Sequence, residues 1–332
     1  MTGSAGESGR PIRVAIDAMG GEKAPGVEVE GGLAAARELG GAVEVVFVGR
    51  KDDVEAELSR HDHAGLSVRV VHAAEAIEMG EAPAAAIRRK RGASIVVAME
   101  LQKNDEVDAV ISAGNTGAVA ASALLGLKML PSVRRPAIAS FFPTVGEPVV
   151  VLDVGASIDS RPSDLVEFAA MGEVLASCVL EHESPRVGLL NIGEEATKGS
   201  ALTQEAHALL SASSLNFVGN IEGKGLFRRE ADVVVCDGFV GNVVLKLVEG
   251  MKDMLMSALG GAGGGAGSLL SQFDYAEYGG APLLGVDGVV IIAHGSSSPK
   301  AIKNAVKVAA RFVDTDLDAH IADRVREVAV SG

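Results

Sequence analysis

Tryptophan is absent from this sequence and aromatic residues make up only 3% of it. That leaves no stacking platform for single-stranded nucleic acid. Positive charge is also in short supply: 30 Lys and Arg face 44 Asp and Glu, a formal net charge of −14. Such a balance works against non-specific nucleic-acid binding, and no nucleic-acid partner is expected. Cysteine is limited to Cys178 and Cys236. The first sits in a helical pattern and the second ends an apolar run. Neither has metal-ligand spacing around it, so both read as buried small hydrophobes in a reducing compartment. Uncharged stretches long enough for a membrane span are interrupted. Ser112, Asn115, Thr116 and two glycines break Ala109 to Leu127, and Gly260 to Gly267 breaks Met254 to Phe273. Neither suits a spanning helix. Met1 to Gly9 is small and polar without an apolar signal core, so residues 1–10 are expected to form a disordered leader on a cytoplasmic protein.

Common catalytic signatures are missing as well. The sequence contains no G-x-S-x-G, no G-x-x-x-x-G-K-[ST] and no H-E-x-x-H, and its glycine tract neither follows a strand nor satisfies G-x-G-x-x-G. A serine hydrolase, a P-loop nucleotidase, a zinc protease and an ordinary dinucleotide enzyme therefore lack support.

What the sequence does have is glycine, 41 residues of it, and a 48% hydrophobic content. Much of the glycine follows short apolar runs. Val233 to Cys236 leads into D-G-F-V-G-N-V-V-L-K-L-V-E (Asp237 to Glu249). Val14 to Ile16 leads into Asp17 to Gly21, Ala109 to Ile111 into Ser112 to Gly117, and Val149 to Leu152 into Asp153 to Ser157. Val187 to Leu190 leads into Asn191 to Gly199, and Val289 to Ile292 into Ala293 to Ser297. Helical patterns cover Ala24 to Leu39, Pro83 to Gln102, Pro162 to Leu180, Thr197 to Ser211, Gly241 to Leu259 and Pro299 to Phe312. Alternation of this kind predicts a mostly parallel sheet with helices on both faces. At 332 residues the chain has room for one large α/β unit or two lobes. In open α/β sheets ligands bind beyond the carboxyl ends of the strands, so the six strand ends predict an anion-friendly cleft.

The residues there suit transfer to or from a small oxyanion. Gly238 and Gly241 let backbone N–H groups approach a ligand, and helix N-termini favour an anion. Candidate donors are Asn115, Thr116, Asn191, Asn242, Ser296 and the glycine N–H groups around them; candidate cations are Lys198, Lys246 and His294. With phosphate itself as nucleophile the protein supplies positioning, desolvation and oxyanion stabilisation. Each residue also has an ordinary reading. Asn242 either caps a helix or bonds a ligand. His294 is a donor to a phosphate or thioester oxygen, or a satisfied structural histidine. Lys198 stabilises charge, or pairs with Glu194 or Glu195 at a helix start. Asp17, Asp153 and Asp237 cap loops by accepting N–H bonds, or orient donors or bind a metal; nothing calls for a metal. Arg88, Arg89, Lys90 and Arg91 form a solvated helix face, or a docking patch for an acidic carrier protein. Apolar residues flanking Gly260 to Gly267 mark a surface loop, or an exposed tip for a membrane or a partner.

Several segments taken together resemble one family. They are I-D-A-M-G-G-E-K-A-P (Ile16 to Pro25), I-S-A-G-N-T-G-A (Ile111 to Ala118), R-P-A-I-A (Arg135 to Ala139) and G-L-L-N-I-G-E-E (Gly188 to Glu195) with Lys198-Gly199. F-V-G-N-I-E-G (Phe217 to Gly223), Asp232 to Lys246, D-Y-A-E-Y-G-G-A-P-L-L-G-V (Asp274 to Val286) and A-H-G-S-S (Ala293 to Ser297) complete the set. In this order they resemble the PlsX-type phosphate acyltransferases from Ile12 to about Val313. The resemblance implies a three-layer α/β/α sandwich with a mostly parallel sheet, similar to phosphotransacetylases and the isocitrate dehydrogenase group. It implies residues 11–332 as a single α/β catalytic domain with an apolar glycine-rich tip at about 251–272. The implied reaction is attack of inorganic phosphate on a fatty acyl carrier protein thioester, giving acyl phosphate for phospholipid synthesis, with no cofactor and no metal. A homodimer is implied, in peripheral contact with the inner face of the cell membrane and with the downstream membrane acyltransferase. The implied catalytic residues are Lys198, Asn242, Lys246 and His294. Substrate binding falls to Asp17, Gly20, Gly21, Ser112, Asn115, Thr116, Asp153, Ser157, Asn191, Glu194, Asp237, Gly238, Gly241 and Ser296. The chain departs from the family pattern at Ser157, Ser160 and Ala196, where an amide, a cysteine and an acidic residue are usual; Ser160 excludes a catalytic thiol there.

Overall fold

A computed structural model of the chain describes residues 10–144, 146–259 and 279–331. The expected leader, up to residue 9, and the glycine-rich tip from residue 260 onward lie outside the described residues, as do Leu269, Leu270 and Asp274 to Tyr278. The chain forms two compact units: unit 1, Met1–Lys128 with Ala276–Asp316, and unit 2, Met129–Tyr275 with Leu317–Gly332. These units subdivide the span that the sequence reading takes together as 11–332.

Unit 1 opens with strands β1 (Ile12–Asp17), β2 (Val43–Gly49), β3 (Val68–His72) and β4 (Ala109–Ser112). Late in the chain it adds β11 (Ala281–Leu284) and β12 (Val289–Ile292). Its strands run in the order β3-β2-β1-β4-β12-β11, all parallel except for the β11–β12 pair. Val14, Ala15, Ile16, Val110 and Ile111 are completely buried, which is why these strands read as unbroken apolar runs. Helices α1 (Gly26–Leu39), α2 (Lys51–Leu58), α3 (Pro83–Arg89), α4 (Ser94–Lys103), α5 (Thr116–Gly126) and α10 (Pro299–Asp314) cover the sheet. α1 packs on α10, and α4 on α5.

The expected helix Pro83 to Gln102 is two helices. Residues between them are drawn out of helical conformation because Ala93 bridges Glu75, the Glu75 N–H donates to the Gly92 carbonyl, and the Ser94 N–H donates to that of Glu75. The basic cluster sits at this break. Lys90 Nζ meets Glu81 Oε2 at 2.6 Å and Arg89 pairs with the same carboxylate, while Arg88 and Arg91 stay exposed.

Unit 2 contains β5 (Ala137–Ile138), β6 (Ser140–Phe142), β7 (Val149–Leu152), β8 (Val187–Leu190), β9 (Phe217–Ile221) and β10 (Val233–Val235). The order β6-β7-β10-β8-β9 is parallel apart from the β6–β7 pair. Its helices are α6 (Pro162–Leu180), α7 (Ala201–Ala212), α8 (Gly223–Arg228), α9 (Gly238–Leu259) and α11 (Leu317–Ser331). α6 starts on Pro162 at its first turn, with the Asp164 carboxylate accepting from the Arg161 N–H at 2.8 Å. Asp164 is also met by Arg135 at 3.4 Å, giving the arginine of R-P-A-I-A a structural partner. α7 begins four residues later than expected, because Asn191 to Ser200 is spent on a loop and Ser200 supplies the cap. α9 begins three residues earlier than expected, at Gly238. Among the described residues no helix is long and apolar enough to cross a membrane.

Candidate active site

Unit 1 gathers three strand-end loops. Asp17, at the end of β1, is almost completely buried and accepts from the Ser112 hydroxyl of β4 at 2.7 Å. Burial pushes the Asp17 carboxyl up, against the hydroxyls of Ser94 and Ser112 and the Met19 N–H. Ser112 Oγ in turn accepts from the Gly114 N–H at 3.1 Å. Gly20 lies so close to that loop that an added Cβ would stand 2.7 Å from the Gly114 nitrogen; only glycine fits. Asn115 caps α5, its Oδ1 accepting from the Ala118 N–H, and its amide donates to the Met79 carbonyl at 2.8 Å. Thr116 is exposed at the first turn of α5. After β12, the Gly295 carbonyl accepts from the Glu22 N–H at 2.9 Å, joining this loop to the one that holds Gly21. His294 Nδ1 lies 2.8 Å from Ser296 Oγ, so these two candidates are in contact.

Sequence reasoning passed over Glu28. It sits on α1, is 1% exposed, and its Oε2 has no hydrogen-bond partner among the described residues. Gly21 approaches its Oε1 so closely that a side chain at Gly21 would displace the Glu28 carboxylate. Burial, with the Asp17 charge adding to it, raises the Glu28 carboxyl to about 7. A folded-state value above the ordinary 4.5 means that the folded chain holds a proton the unfolded chain has released. The resulting stability is full below about pH 4.5 and is lost as pH rises through about 7. The expected loss is about 3 kcal/mol between pH 4.5 and 8, at about 1.4 kcal/mol per pH unit. Urea melts of the parent and Glu28→Gln at pH 5 and pH 8 check this. The stability difference between them should shift by about 2.5 kcal/mol over that interval, and identical pH dependence in the two would rule it out. The only warning in the sequence is a carboxylate on the face of α1 that also carries the buried Gly31, Gly32 and Ala35.

Unit 2 brings together the ends of β7 and β10. Asp153 is fully buried and its carboxylate accepts N–H bonds from Ile138, Gly155, Ala156 and Ser157 at 3.0, 2.9, 2.9 and 2.6 Å. Burial pushes this carboxyl up, and the four donors oppose that. Ser157, where the family pattern has an amide, donates its hydroxyl to the Pro136 carbonyl at 3.3 Å. The Gly238 N–H donates to the Ser157 carbonyl at 3.0 Å, joining the two loops. Asp237 caps α9, accepting from the Phe239 and Val240 N–H groups at 3.1 and 3.0 Å. Asn242 is therefore within the helix, exposed, with its side chain lying over Gly155. Lys246 sits two turns into α9 and meets Glu249 at 2.8 Å on an exposed face. Cys236 is buried beside Asp153, and burial drives its thiol well above the ordinary range, so it is not a nucleophile.

The loop after β8 is built differently. Asn191 ties its two ends together: its amide donates to the Lys198 carbonyl at 3.1 Å and its Oδ1 accepts from the Ile192 N–H at 2.9 Å. The Glu195 carbonyl is anchored by the Asn220 amide at 2.9 Å and accepts from the Lys198 N–H at 3.0 Å. Among the described residues, the N–H groups of Gly193 to Thr197 have no acceptor, and exposed Lys198 forms no ion pair with Glu194 or Glu195. Its stem lies over Gly193 instead. Free amide donors beside an unpaired ammonium favour an anion by elementary electrostatics, and the Glu195 carboxylate, which also lies over Gly193, opposes it.

Three comparisons bear on what these loops serve. A family model described as "Fatty acid synthesis protein" matches residues 12–320. The phosphate acyltransferase of Geotalea daltonii is 46% identical over 330 residues, covering 95% of this chain and 95% of its own. That of Geobacter sp. strain M21 is 48% identical over 336 residues, covering 95% and 93%. Among solved structures, a phosphotransacetylase from Streptococcus pyogenes superposes with a TM-score of 0.61 at 16% identity, covering 92% of this chain and 94% of its own. The last comparison speaks for the α/β fold alone. With near-complete relatives at this identity and a family match along almost its whole length, the chain belongs to the phosphate acyltransferases, enzymes of fatty acid and phospholipid synthesis.

Proposed function

We propose that the acyl donor is a fatty acyl thioester of acyl carrier protein and that the acceptor, inorganic phosphate, binds at the loop after β8. A phosphate oxygen attacks the thioester carbonyl carbon, the C–O bond forms, and the tetrahedral oxyanion collapses with cleavage of the C–S bond. Acyl phosphate and the carrier thiol are the products, the thiolate taking up a proton from solvent. No enzyme nucleophile is required, which agrees with the inert thiol of Cys236. The observation that carries the reading is the β8 loop, where unpartnered N–H groups of Gly193 to Thr197 adjoin an ammonium without an ion pair, Lys198. Charge on phosphate and on the developing oxyanion is stabilised by such pre-arranged donors. The loops around Asp17 and Asp153 serve as scaffolding, since these carboxylates are taken up by Ser112 and the Met19 N–H and by four backbone N–H groups respectively.

Lys198→Ala is expected to lower kcat/KM for phosphate by about a hundredfold, the usual effect of removing a donor aimed at developing charge. Lys246→Ala, whose ammonium is held by Glu249, is expected to change it by less than about threefold, as for an exposed pair. The assay is phosphate-dependent release of carrier thiol from palmitoyl acyl carrier protein, with acyl phosphate trapped as the hydroxamate. Equal losses in the two variants would remove Lys198 from its role. Strictly phosphate-independent thioester loss would dispose of the reaction.

The partners follow from surface chemistry. Arg88 and Arg91, exposed at the end of α3 and in the break after it, suit an acidic carrier protein. α9 exposes Val243, Leu247, Met251 and Met254 at helical spacing, an apolar face suited to a second copy of the chain and to peripheral membrane contact. Such contact would deliver acyl phosphate to a membrane acyltransferase.

A further inference from the structure

We propose that Ile158, Ile192 and Phe239 form the surface on which the fatty acyl chain of the substrate lies, and so set chain-length preference. The inference rests on the reaction and phosphate site given above and adds a location for the apolar part of the donor. These three side chains are 71%, 80% and 62% exposed; Ile158 and Ile192 lie in loops made mostly of small and polar residues, and Phe239 in the first turn of α9. Each lies beyond the carboxyl end of a strand: Ile158 six residues after the last residue of β7, Ile192 two after that of β8, and Phe239 four after that of β10. β10 lies between β7 and β8, parallel to both, so the three loops leave the same edge of one sheet. Adjacent strands stand about 4.8 Å apart, which places the three strand ends within about 10 Å of one another across the sheet. The Gly238 N–H to Ser157 carbonyl bond at 3.0 Å stitches the segments bearing Phe239 and Ile158 directly together.

A large apolar side chain left in water forgoes the free energy of its burial. Three such side chains beside a polar anion loop make an amphipathic surface. It has N–H donors and Lys198 for phosphate and the thioester oxygen, and Ile192 at the start of the same loop for the first methylenes. A fatty acyl thioester has the same polarity pattern, with a polar carbonyl end continuous with an alkyl chain. A free phosphate or a short polar acyl group has no use for the apolar part.

The test uses the full chain with acyl carrier protein loaded with C6, C10 or C16 acyl groups. Ile158→Ser combined with Ile192→Ser leaves Phe239 and the face of α9 intact. Because each buried methylene is worth about 0.8 kcal/mol, kcat/KM for C16 is expected to fall roughly thirtyfold. The C6 value should change less than about threefold, since few methylenes are buried there, and KM for phosphate should hold. A loss of the same size at every chain length, or none, overturns the assignment while leaving the reaction intact. So does a variant whose sedimentation or liposome binding changes without a chain-length effect, since a second copy or a lipid surface is then the occupant. Absence of acyl phosphate from the parent with every donor overturns the reaction and the subsite together. A readout independent of any substitution is photocrosslinking of the parent chain with carrier protein bearing a diazirine-labelled C16 group. Label on the segments around Ile158, Ile192 and Phe239 is expected, and label confined elsewhere overturns the proposal.

Discussion

Asp153→Ala is expected to destabilise the chain by about 4 kcal/mol and to abolish acyl transfer. Four backbone N–H groups converge on this one carboxylate, from Ile138, Gly155, Ala156 and Ser157, in a position with no solvent exposure. Removing the acceptor leaves those donors buried and unpaired, at about 1–3 kcal/mol each before the loop relaxes toward water. Relaxation recovers part of that energy at the expense of the geometry from Asp153 to Ser157, and with it the joint between Ser157 and Gly238. Asp153→Asn separates the two effects. It keeps the shape and one acceptor oxygen but turns an NH2 group toward donors, so its cost is expected to be intermediate. Urea unfolding of both variants checks the order. An Asp153→Ala chain within about 1 kcal/mol of the parent would show that the N–H groups find other acceptors.

Gly241→Ala is expected to cost about 3 kcal/mol or more, although alanine is the better helix former by about 1 kcal/mol. Gly241 lies buried in the first turn of α9, and a Cβ there would run into the Asp153 carbonyl oxygen and stand 3.0 Å from the Cys236 sulfur. The first obstacle is backbone at the end of β7, which cannot swing aside as a side chain would. The same helix supplies its own control. Gly250 is exposed and has nothing within 4 Å of where its Cβ would be. Gly250→Ala is therefore expected to stabilise by about 0.5–1 kcal/mol through propensity alone. Thermal melts of the two substitutions should move in opposite directions. Equal shifts would mean that α9 stands further from β7 than the geometry indicates.

The legible parts of the fold were those whose cause lies within a few residues. β7, β8 and β12 read at their observed bounds because a strand buried on both faces is a short apolar run between polar ends. α6 read at both its ends because Pro162 starts it and the apolar pattern runs to Leu180. The break between α3 and α4 was not legible: its local pattern is helical, and the competing pairing comes from Glu75, distant in sequence. Nor was the start of α9, where Asp237 and Asn242 both qualify as caps. The choice fell to Asp237 because Gly238 and Gly241 must pack on the β7 loop. The helix α11 lay beyond the last pattern read, and its place is fixed by packing on α6.

The site divides in the same way. Sequence by itself determined where polar groups gather, because strand ends rich in Asp, Asn, Ser and Gly follow apolar runs. It also determined the family, through several motifs in one order. Only the tertiary structure decided which of those groups remain available. Asp17, Ser112, Asn115, Asp153, Asn191 and Asp237 are spent on holding loops in place and Lys246 on Glu249, while Lys198 and the N–H groups before it have no partner among the described residues. The reason is that a hydrogen-bonding side chain has equal capacity for a backbone neighbour or for a substrate, and burial selects between them. A polar group that folding removes from water must be paired within the chain, whereas one left at the strand edge keeps its capacity for a ligand.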